Sequence, residues 1–176
     1  MKTPSGQRPD ASGLKVVVLR SAFNSEVVEG LVQGALRALE EMGADRREVI
    51  VETVPGAFEL PLAARCAADS GRFDAIVTLG AVIKGETDHY EHIARECAAG
   101  LEAVARGTGV PVGFGVLTVT DEEQARARAA PGPGNKGAEA ARAAVEMIHV
   151  LRRLTKRTEP QRPQSSQRMK RRVKRR

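Results

Sequence analysis

Aromatic residues and cysteine are scarce in this sequence. Its 176 residues include four phenylalanines, one tyrosine, no tryptophan and two cysteines. The cysteines, Cys66 and Cys97, form no Cys-x-x-Cys motif, so we predict a protein with reduced thiols. Because aromatic side chains are so few, a phenylalanine that follows a strand is a candidate for a functional role.

Long apolar runs are also absent from the sequence. No stretch approaches the roughly 20 apolar residues that a transmembrane helix needs. The polar segment 1–13 includes Pro4 and Pro9 and lacks the apolar core of a signal peptide. We therefore expect a cytoplasmic protein with no membrane partner.

Positive charge is concentrated at the C-terminus. The formal net charge is +6, yet residues 1–151 hold 16 Lys and Arg residues against 21 acidic ones. Residues 152–176 hold the other 12 basic residues and one acid, Glu159. This tail has too little apolar content to offset the entropy of ordering, so 155–176 is predicted to be disordered. Two roles stay open for it: a solvated tail that aids solubility, or weak binding of nucleic acid or another polyanion.

Apolar, mostly β-branched runs alternate with segments of helical periodicity. The runs predicted to be strands are 15–20, Val49–Val54, 75–81 and 112–118. Helices are predicted from a cap at Asn24 or Ser25 to Gly43, over 58–68, from about 87 past Val104, over 121–129 and over 135–154. The third of them has a stripe at helical spacing formed by Tyr90, Ile93, Cys97, Leu101 and Val104.

The strands are apolar throughout, and each is followed by a helix. This pattern is typical of a parallel sheet covered on both faces. We therefore predict the α/β class: a flavodoxin-like, three-layer α/β/α sandwich with a four-stranded parallel sheet. The domain is predicted to span 14–154, between a flexible segment 1–13 and the basic tail 155–176.

Unusual residues follow the predicted strands. Sheets of this class bind ligands beyond the carboxyl ends of their strands. The segments at those ends are 23–24, 55–59, 80–89 and the residues from Thr118 onward. We therefore expect one binding site built from all four ends.

The segment 79–92, LGAVIKGETDHYEH, joins an apolar strand to a helix. After Gly85, the first helical turn is predicted to carry Thr87, Asp88 and His89. That turn has unpaired backbone N–H groups and the positive end of the helix dipole, so it attracts anions. A histidine there can move protons near neutral pH. The segment therefore predicts chemistry on a phosphorylated small molecule.

Other candidate residues each have two interpretations. Phe23 is either the edge of the core or a ring that stacks on a flat heterocycle, a contact worth about 1–3 kcal/mol. Glu59 is either a surface acid at a helix start or an acceptor for ligand hydroxyls. Arg128, late in its helix, and Lys136, early in the next, are either surface cations or anion ligands.

Metal and nucleotide motifs are not supported. His89, His92 and Glu96 lie roughly on one helix face, but they span two turns and lack the H-E-x-x-H spacing. A pair between His92 and Glu96 is simpler, and we expect no metal. The segment 132–137 lacks the spacing of a phosphate-binding P-loop and follows a helix, so a helix break capped by Asn135 is predicted.

Five segments together resemble the lumazine synthases, enzymes of riboflavin biosynthesis. They are Phe23-Asn24, Val54-Pro55-Gly56-Ala57-Phe58-Glu59-Leu60-Pro61, Leu79 to Tyr90, Pro111-Val112-Gly113-Phe114-Gly115 and Gly134-Asn135-Lys136-Gly137. They follow the order and spacing of that family across residues 14 to about 151. The first dozen residues and the basic tail lie outside the resemblance.

The resemblance implies a transferase that needs no cofactor. It would condense 5-amino-6-(D-ribitylamino)uracil with 3,4-dihydroxy-2-butanone 4-phosphate to 6,7-dimethyl-8-ribityllumazine and release phosphate. It also implies His89 as the catalytic proton carrier and Phe23 as the ring that stacks on the uracil. The other implied substrate-binding residues are Asn24, Ala57, Phe58, Glu59, Val82, Ile83, Lys84, Gly85, Glu86, Thr87, Phe114, Arg128 and Lys136, the last three from a neighbouring subunit.

The resemblance further implies a homo-oligomer, either a pentamer or an icosahedral shell of pentamers, and association with riboflavin synthase. Pro4 and Pro9 disfavour an added N-terminal strand, which weighs against the shell. The loop between Arg128 and Asn135 has no insertion relative to the family members that form shells, which favours the shell. The residues 129–133, AAPGP, make that loop stiffer than the usual opening of the family.

Two other classes of function remain open. One is a flavin- or lumazine-binding protein without catalysis, against which His89, Thr87 and Arg128 argue. The other is a nucleic-acid-associated assembly that uses the basic tail. Turnover of the two substrates separates the first alternative from the enzyme, and salt-dependent nucleic-acid binding separates the second.

Overall fold

The structure, a computed structural model, describes residues 9–155. Residues 1–8 and 156–176 lie outside it, so the predictions for the basic tail and for most of the N-terminal segment fall on residues that it does not describe. Within the described chain the strands are β1 (Val16–Ser21), β2 (Val49–Val54), β3 (Ala75–Ile83) and β4 (Val112–Val119). The helices are α1 (Ser25–Glu41), α2 (Leu60–Asp69), α3 (His89–Thr108), α4 (Glu122–Ala129) and α5 (Lys136–Thr155).

The four strands form one parallel sheet in the order β2-β1-β3-β4. Helices α1, α4 and α5 cover one face, where they pack on Val16, Val18 and Leu79. Helices α2 and α3 cover the other face, against Val17 and Ile76. Side chains alternate between the faces of a strand, so the continuous apolar runs supply both cores. The predicted three-layer α/β sandwich with a four-stranded parallel sheet is confirmed.

Burial follows the position of each strand in the sheet. The inner strand β3 is buried along its length except for the half-buried Ile83 at its end. The outer strand β2 is largely uncovered, and Val51 is exposed. At the opposite edge, Phe114 of β4 precedes the buried Val116 by two residues, so both face the α2–α3 layer. The ring of Phe114 is nevertheless 47% exposed, because that layer does not extend over it.

Helices α1 and α5 pack closely because glycine lies at their contact. A Cβ atom added at Gly137 would come within 2.0 Å of the carbonyl oxygen of Leu31. Asn135 is buried beside this contact, and its Nδ2 donates to the carbonyl oxygens of Ala129 at 2.7 Å and Gly30 at 3.1 Å. Its Oδ1 accepts from the backbone N–H of Ala138 at 3.0 Å, so it caps α5 as predicted.

Several predicted boundaries were wrong. β3 continues to Ile83 because its last residues pair with Thr118 and Val119 of β4. α3 begins at His89, so Thr87 and Asp88 precede the helix instead of forming its first turn.

A short 3-10 turn, Ala57–Glu59, precedes α2, which therefore begins at Leu60 and not at Phe58. The N-terminal segment also packs further than expected. Ala11 is buried, and its backbone N–H donates to the carbonyl oxygen of Met42 at 2.8 Å.

Candidate active site

A pocket of about 400 Å³ opens at the carboxyl ends of the strands. It is bounded by the turns after β1 and β2, the end of β3 and the first turn of α3. Its lining residues are Phe23, Asn24, Gly56, Ala57, Phe58, Glu59, Ala81, Val82, Ile83, Gly85, Thr87, His89, Tyr90 and Ile93. Ten of the fifteen site residues predicted from the sequence are among them.

Phe23 lies on a turn whose backbone is fixed from both sides. Its N–H donates to the carbonyl oxygen of Pro55 at 3.2 Å, and its carbonyl oxygen accepts from the Ser21 hydroxyl at 3.3 Å. The ring itself is 73% exposed. A large apolar ring on a rigid turn, open to solvent at the mouth of a pocket, is suited to stacking on a flat ligand. Its interpretation as the edge of the core is therefore wrong.

The sequence predicted a cap of α1 at Asn24 or Ser25. Asn24 occupies the cap position, but its side chain makes no capping hydrogen bond. Its backbone has φ 56° and ψ 43°, a left-handed conformation that among residues 9–155 no other non-glycine residue adopts. The side chain points across the sheet instead, where Nδ2 donates to the carbonyl oxygen of Ala81 at 2.8 Å.

Glu59 reaches the pocket from the 3-10 turn after β2. A Cβ atom added at Gly56 would lie 3.1 Å from the Oε2 atom of Glu59, so the carboxylate packs close to the Gly56 backbone. The ionisable side chains of the lining are Glu59, His89 and Tyr90, and Glu59 is the only carboxylate among them. Its carboxylate can accept hydrogen bonds from ligand hydroxyl or N–H groups.

The loop from β3 to α3 forms the polar wall of the pocket. The N–H of Lys84 donates to the carbonyl oxygen of Val119 at 2.9 Å, which holds the loop to the sheet. Gly85, Thr87 and His89 follow and line the pocket. The loop thus brings backbone N–H groups, one hydroxyl and one imidazole to the start of a 20-residue helix. That arrangement suits an anion with a proton carrier beside it.

Tyr90 and Ile93 also line the pocket, although the sequence placed them in the buried stripe of α3. The first turn of α3 lies beside the ends of the strands, so the same helix face that packs on the sheet meets the pocket there. Both side chains are half-buried against the α2–α3 core. Their helical spacing predicted burial but gave no signal that a pocket lies at the end of the stripe.

Five predicted site residues do not line the pocket. Lys84 and Glu86 belong to its loop, while Phe114, Arg128 and Lys136 lie on β4, α4 and α5. The Arg128 guanidinium donates to the carbonyl oxygen of Gln124, in its own helix, at 3.1 Å. The Lys136 ammonium pairs with Glu139 at 2.8 Å. The pocket lining in the described chain therefore contains no lysine or arginine.

Residues 9–155 contain no group of three or more His, Cys, Asp and Glu side chains placed to hold a metal ion. His92, part of the metal set considered from the sequence, is exposed and does not line the pocket. In the same part of the chain, no helix is both long enough and apolar enough to cross a membrane.

Comparison with known proteins points to one family. The sequence profile of 6,7-dimethyl-8-ribityllumazine synthase matches residues 13–152. A 6,7-dimethyl-8-ribityllumazine synthase of Nitratidesulfovibrio vulgaris (strain DP4) is 44% identical over 151 residues, which cover 86% of this chain and 96% of the relative. A protein of the same name from Halorhodospira halophila (strain DSM 244 / SL1) is 44% identical over 152 residues, covering 86% and 97%. The match spans the sheet, every helix and the pocket described above, and the chain belongs to the 6,7-dimethyl-8-ribityllumazine synthase family.

Proposed function

We propose that this protein condenses 5-amino-6-(D-ribitylamino)uracil with 3,4-dihydroxy-2-butanone 4-phosphate to form 6,7-dimethyl-8-ribityllumazine. The ketone carbon and the substrate amine form a Schiff base with loss of water. Phosphate is then eliminated, and the second amine closes the ring with loss of another water. These steps require proton transfers and neutralisation of a leaving phosphate, and otherwise they depend on positioning.

The proposed roles in the pyrimidine half follow the walls of the pocket. Phe23 stacks on the uracil ring, and Glu59 accepts hydrogen bonds from the ribityl hydroxyls. Asn24, Ala57 and Phe58 form the walls around the uracil ring and the ribityl chain. Val82 and Ile83 offer the backbone groups at the end of β3 to the ring edge.

The loop before α3 is the proposed binding site for the phosphate of the ketone substrate. Gly85, Glu86 and Thr87 hold the phosphate through backbone N–H groups and the Thr87 hydroxyl, and Lys84 anchors the loop. His89, next along the wall, carries protons between the reacting atoms. The helix dipole of α3 adds a favourable interaction with the anion.

The proposal includes a homo-oligomer in which a neighbouring subunit completes the site. Phe114, Arg128 and Lys136 do not line the pocket of their own chain, and that pocket has no lysine or arginine to neutralise a phosphate. The uncovered ring of Phe114 at the sheet edge is available for contact with a second copy. A pentamer, alone or within an icosahedral shell, is the arrangement that we propose. Association with riboflavin synthase rests on the family resemblance alone.

The observation that carries the proposal is the convergence of Phe23, Glu59, Thr87 and His89 on one pocket at the strand ends. These four residues come from three separate segments of the chain. Together they match a heterocycle, a polyol, a phosphate and a proton transfer, which are the four features of the two substrates.

The test is turnover by the purified full-length chain with both substrates, followed by absorbance of the product. His89→Ala is expected to slow turnover about 100-fold or more, because general acid–base catalysis contributes about that much. His92→Ala is the matched control: His92 lies on the same helix, is exposed and does not line the pocket. Binding of the lumazine without turnover by the wild type would instead identify a non-catalytic binding protein. Equal activity of the two variants would remove His89 from the mechanism.

A further inference from the structure

We infer that Asn24 is a positioning residue that acts on substrate through Phe23. It does so by tying the turn after β1 to the end of β3. This inference rests on the proposed function, since it requires that Phe23 stacks on the pyrimidine. It assigns to Asn24 a role other than direct contact with that substrate.

The turn after β1 is attached to β2 by its backbone. The N–H of Ala22 donates to the carbonyl oxygen of Val54 at 2.8 Å, and the N–H of Phe23 donates to that of Pro55 at 3.2 Å. Both bonds lie beyond the last paired residues of the β1–β2 ladder, Ser21 and Val54. On this side the backbone itself ties the turn to the end of β2.

On the β3 side the ladder stops earlier. The last pair is Arg20 with Leu79, while β3 itself continues to Ile83. The carbonyl oxygen of Ala81 therefore lies beyond the pairing with β1. The Asn24 side chain supplies the missing donor, with Nδ2 at 2.8 Å from that oxygen. One side-chain amide thus replaces a backbone bond of the ladder and closes the gap between the two inner strands.

The left-handed backbone of Asn24 makes this bond geometrically available. Asparagine tolerates positive φ better than most residues, and at φ 56° it also turns the chain directly into α1. The amide bond therefore constrains the carboxyl side of Phe23 together with the Ser21 hydroxyl, which donates to the Phe23 carbonyl oxygen, while the Pro55 bond holds its amino side. With the turn held on both sides, the direction of the Phe23 Cα–Cβ bond is fixed, which confines the exposed ring to the pocket mouth.

The bond to Ala81 limits what the Asn24 amide can offer to a substrate. One N–H of the Asn24 amide is committed to Ala81, which removes it from contact with a ligand. Because the amide acts through the turn, we expect removal of the amide to weaken binding of the pyrimidine that stacks on Phe23. Binding of the phosphorylated ketone should be unchanged.

The experiment is a double-mutant cycle on Asn24 and Phe23. Asn24→Gly keeps the positive φ and removes the amide, Phe23→Ala removes the ring, and the double variant combines them. We expect Asn24→Gly to raise the KM for the pyrimidine about fivefold to tenfold. The KM for the phosphorylated ketone should stay within about twofold, and in the Phe23→Ala background Asn24→Gly should have little further effect.

Asn24→Asp supplies a second, pH-dependent readout. An ionised carboxylate cannot donate to the Ala81 carbonyl, whereas a protonated one can. The ratio of the pyrimidine KM of this variant to that of the wild type at the same pH is therefore expected to fall towards one as the pH is lowered; taking the ratio cancels the effect of Glu59 protonation, which both proteins share. Thermal unfolding of each variant verifies that the fold is retained.

Additive effects of Asn24→Gly and Phe23→Ala would overturn the inference and make Asn24 a direct ligand of the substrate. An equal rise of both KM values would also overturn it, because a general loosening of the site affects both substrates. Absence of turnover in the wild type would overturn the proposed function instead. Binding of the lumazine product, measured with the same four proteins, would then still decide whether Asn24 acts through Phe23.

Discussion

At the scale of single residues, Cys97 shows how burial controls a titratable group. The side chain is fully buried in the α2–α3 core, and burial raises the pKa of its thiol from 9.0 to about 11. The folded protein therefore holds this proton over a range in which the unfolded chain releases it. By linkage, the stabilisation is complete below pH 9 and is lost as the pH rises from 9 to about 11.

We expect the free energy of unfolding to fall by about 1 kcal/mol between pH 8 and pH 10 through this group alone. Cys97→Ala should remove that part of the slope, although it lowers stability at every pH by leaving a small cavity. Cys66→Ala is the control, because Cys66 is exposed. Denaturant unfolding at both pH values measures the difference. An unchanged slope in Cys97→Ala would show that the thiol does not contribute.

Ten of the fifteen predicted site residues line the pocket, but the sequence predicted their local geometry less well. Phe23 was open to two interpretations because an apolar strand end suits both a core residue and a stacking ring; only its exposure separates them. The cap of α1 was predicted at Asn24 or Ser25 from the local sequence, which contains no signal that the Asn24 amide donates to the Ala81 carbonyl 57 positions away. Tyr90 packs against the core, as its place in the helical stripe predicted, but its contact with the pocket depends on where the strands end.

At the scale of secondary-structure elements, Asn135 joins three helices. Its Nδ2 donates to carbonyl oxygens of α1, α4 and the residue after α4, and its Oδ1 caps α5. Asn135→Asp keeps the capping acceptor but places a buried carboxylate against three carbonyl oxygens. We expect it to reduce the free energy of unfolding by about 3 kcal/mol.

Asp121→Asn is the matched control for that substitution. Asp121 caps α4, with Oδ1 accepting from the Gln124 N–H at 2.8 Å, but it is exposed. Loss of its charge should change stability much less than Asn135→Asp does, because water screens an exposed carboxylate. Urea unfolding of both variants compares the two caps. Similar losses in both would mean that the Nδ2 bonds of Asn135 add nothing to the cap.

The strands were predicted closely because apolar, β-branched runs have few alternatives in a parallel sheet. Their ends were harder: Val82 and Ile83 join β3 because β4 is long enough to pair with them, which is a tertiary property. The start of α3 at His89 was missed for a related reason. Thr87 and Asp88 are acceptable in a first turn, but the chain first has to leave the extended β3.

At the scale of the whole molecule, the proposed neighbour contribution makes a complementation test possible. His89→Ala and Arg128→Ala are each expected to be weakly active. After mixing with subunit exchange, activity should recover to roughly a quarter of the wild type, because random pairing puts intact His89 beside intact Arg128 at that share of interfaces.

Mixing His89→Ala with Thr87→Ala is the control for that experiment. Both residues line the pocket of the same chain, so no mixed interface has both intact. Recovery in this control would point to reversion or contamination. Absence of recovery with Arg128→Ala, in oligomers verified as mixed by mass spectrometry, would favour a site built within one chain.

The basic tail lies almost wholly outside the described residues, so its role is still the prediction made from sequence. Deleting residues 158–176 removes eight of the 28 Lys and Arg residues. Lumazine formation should be unaffected, while any retention of RNA or DNA at low salt should disappear, because dense positive charge binds polyanions by releasing counterions. In an oligomer several tails act together, which strengthens weak contacts through effective concentration. Filter binding over a salt series measures this, and loss of turnover on truncation would contradict it.

The position of Tyr90 has an optical consequence for the protein. It is the single tyrosine of a chain without tryptophan, and it lines the pocket beside His89. The intrinsic ultraviolet emission of each subunit therefore originates almost entirely from one ring at the site. A conjugated ligand that enters will absorb that emission, so unmodified protein reports its own occupancy without any added fluorophore.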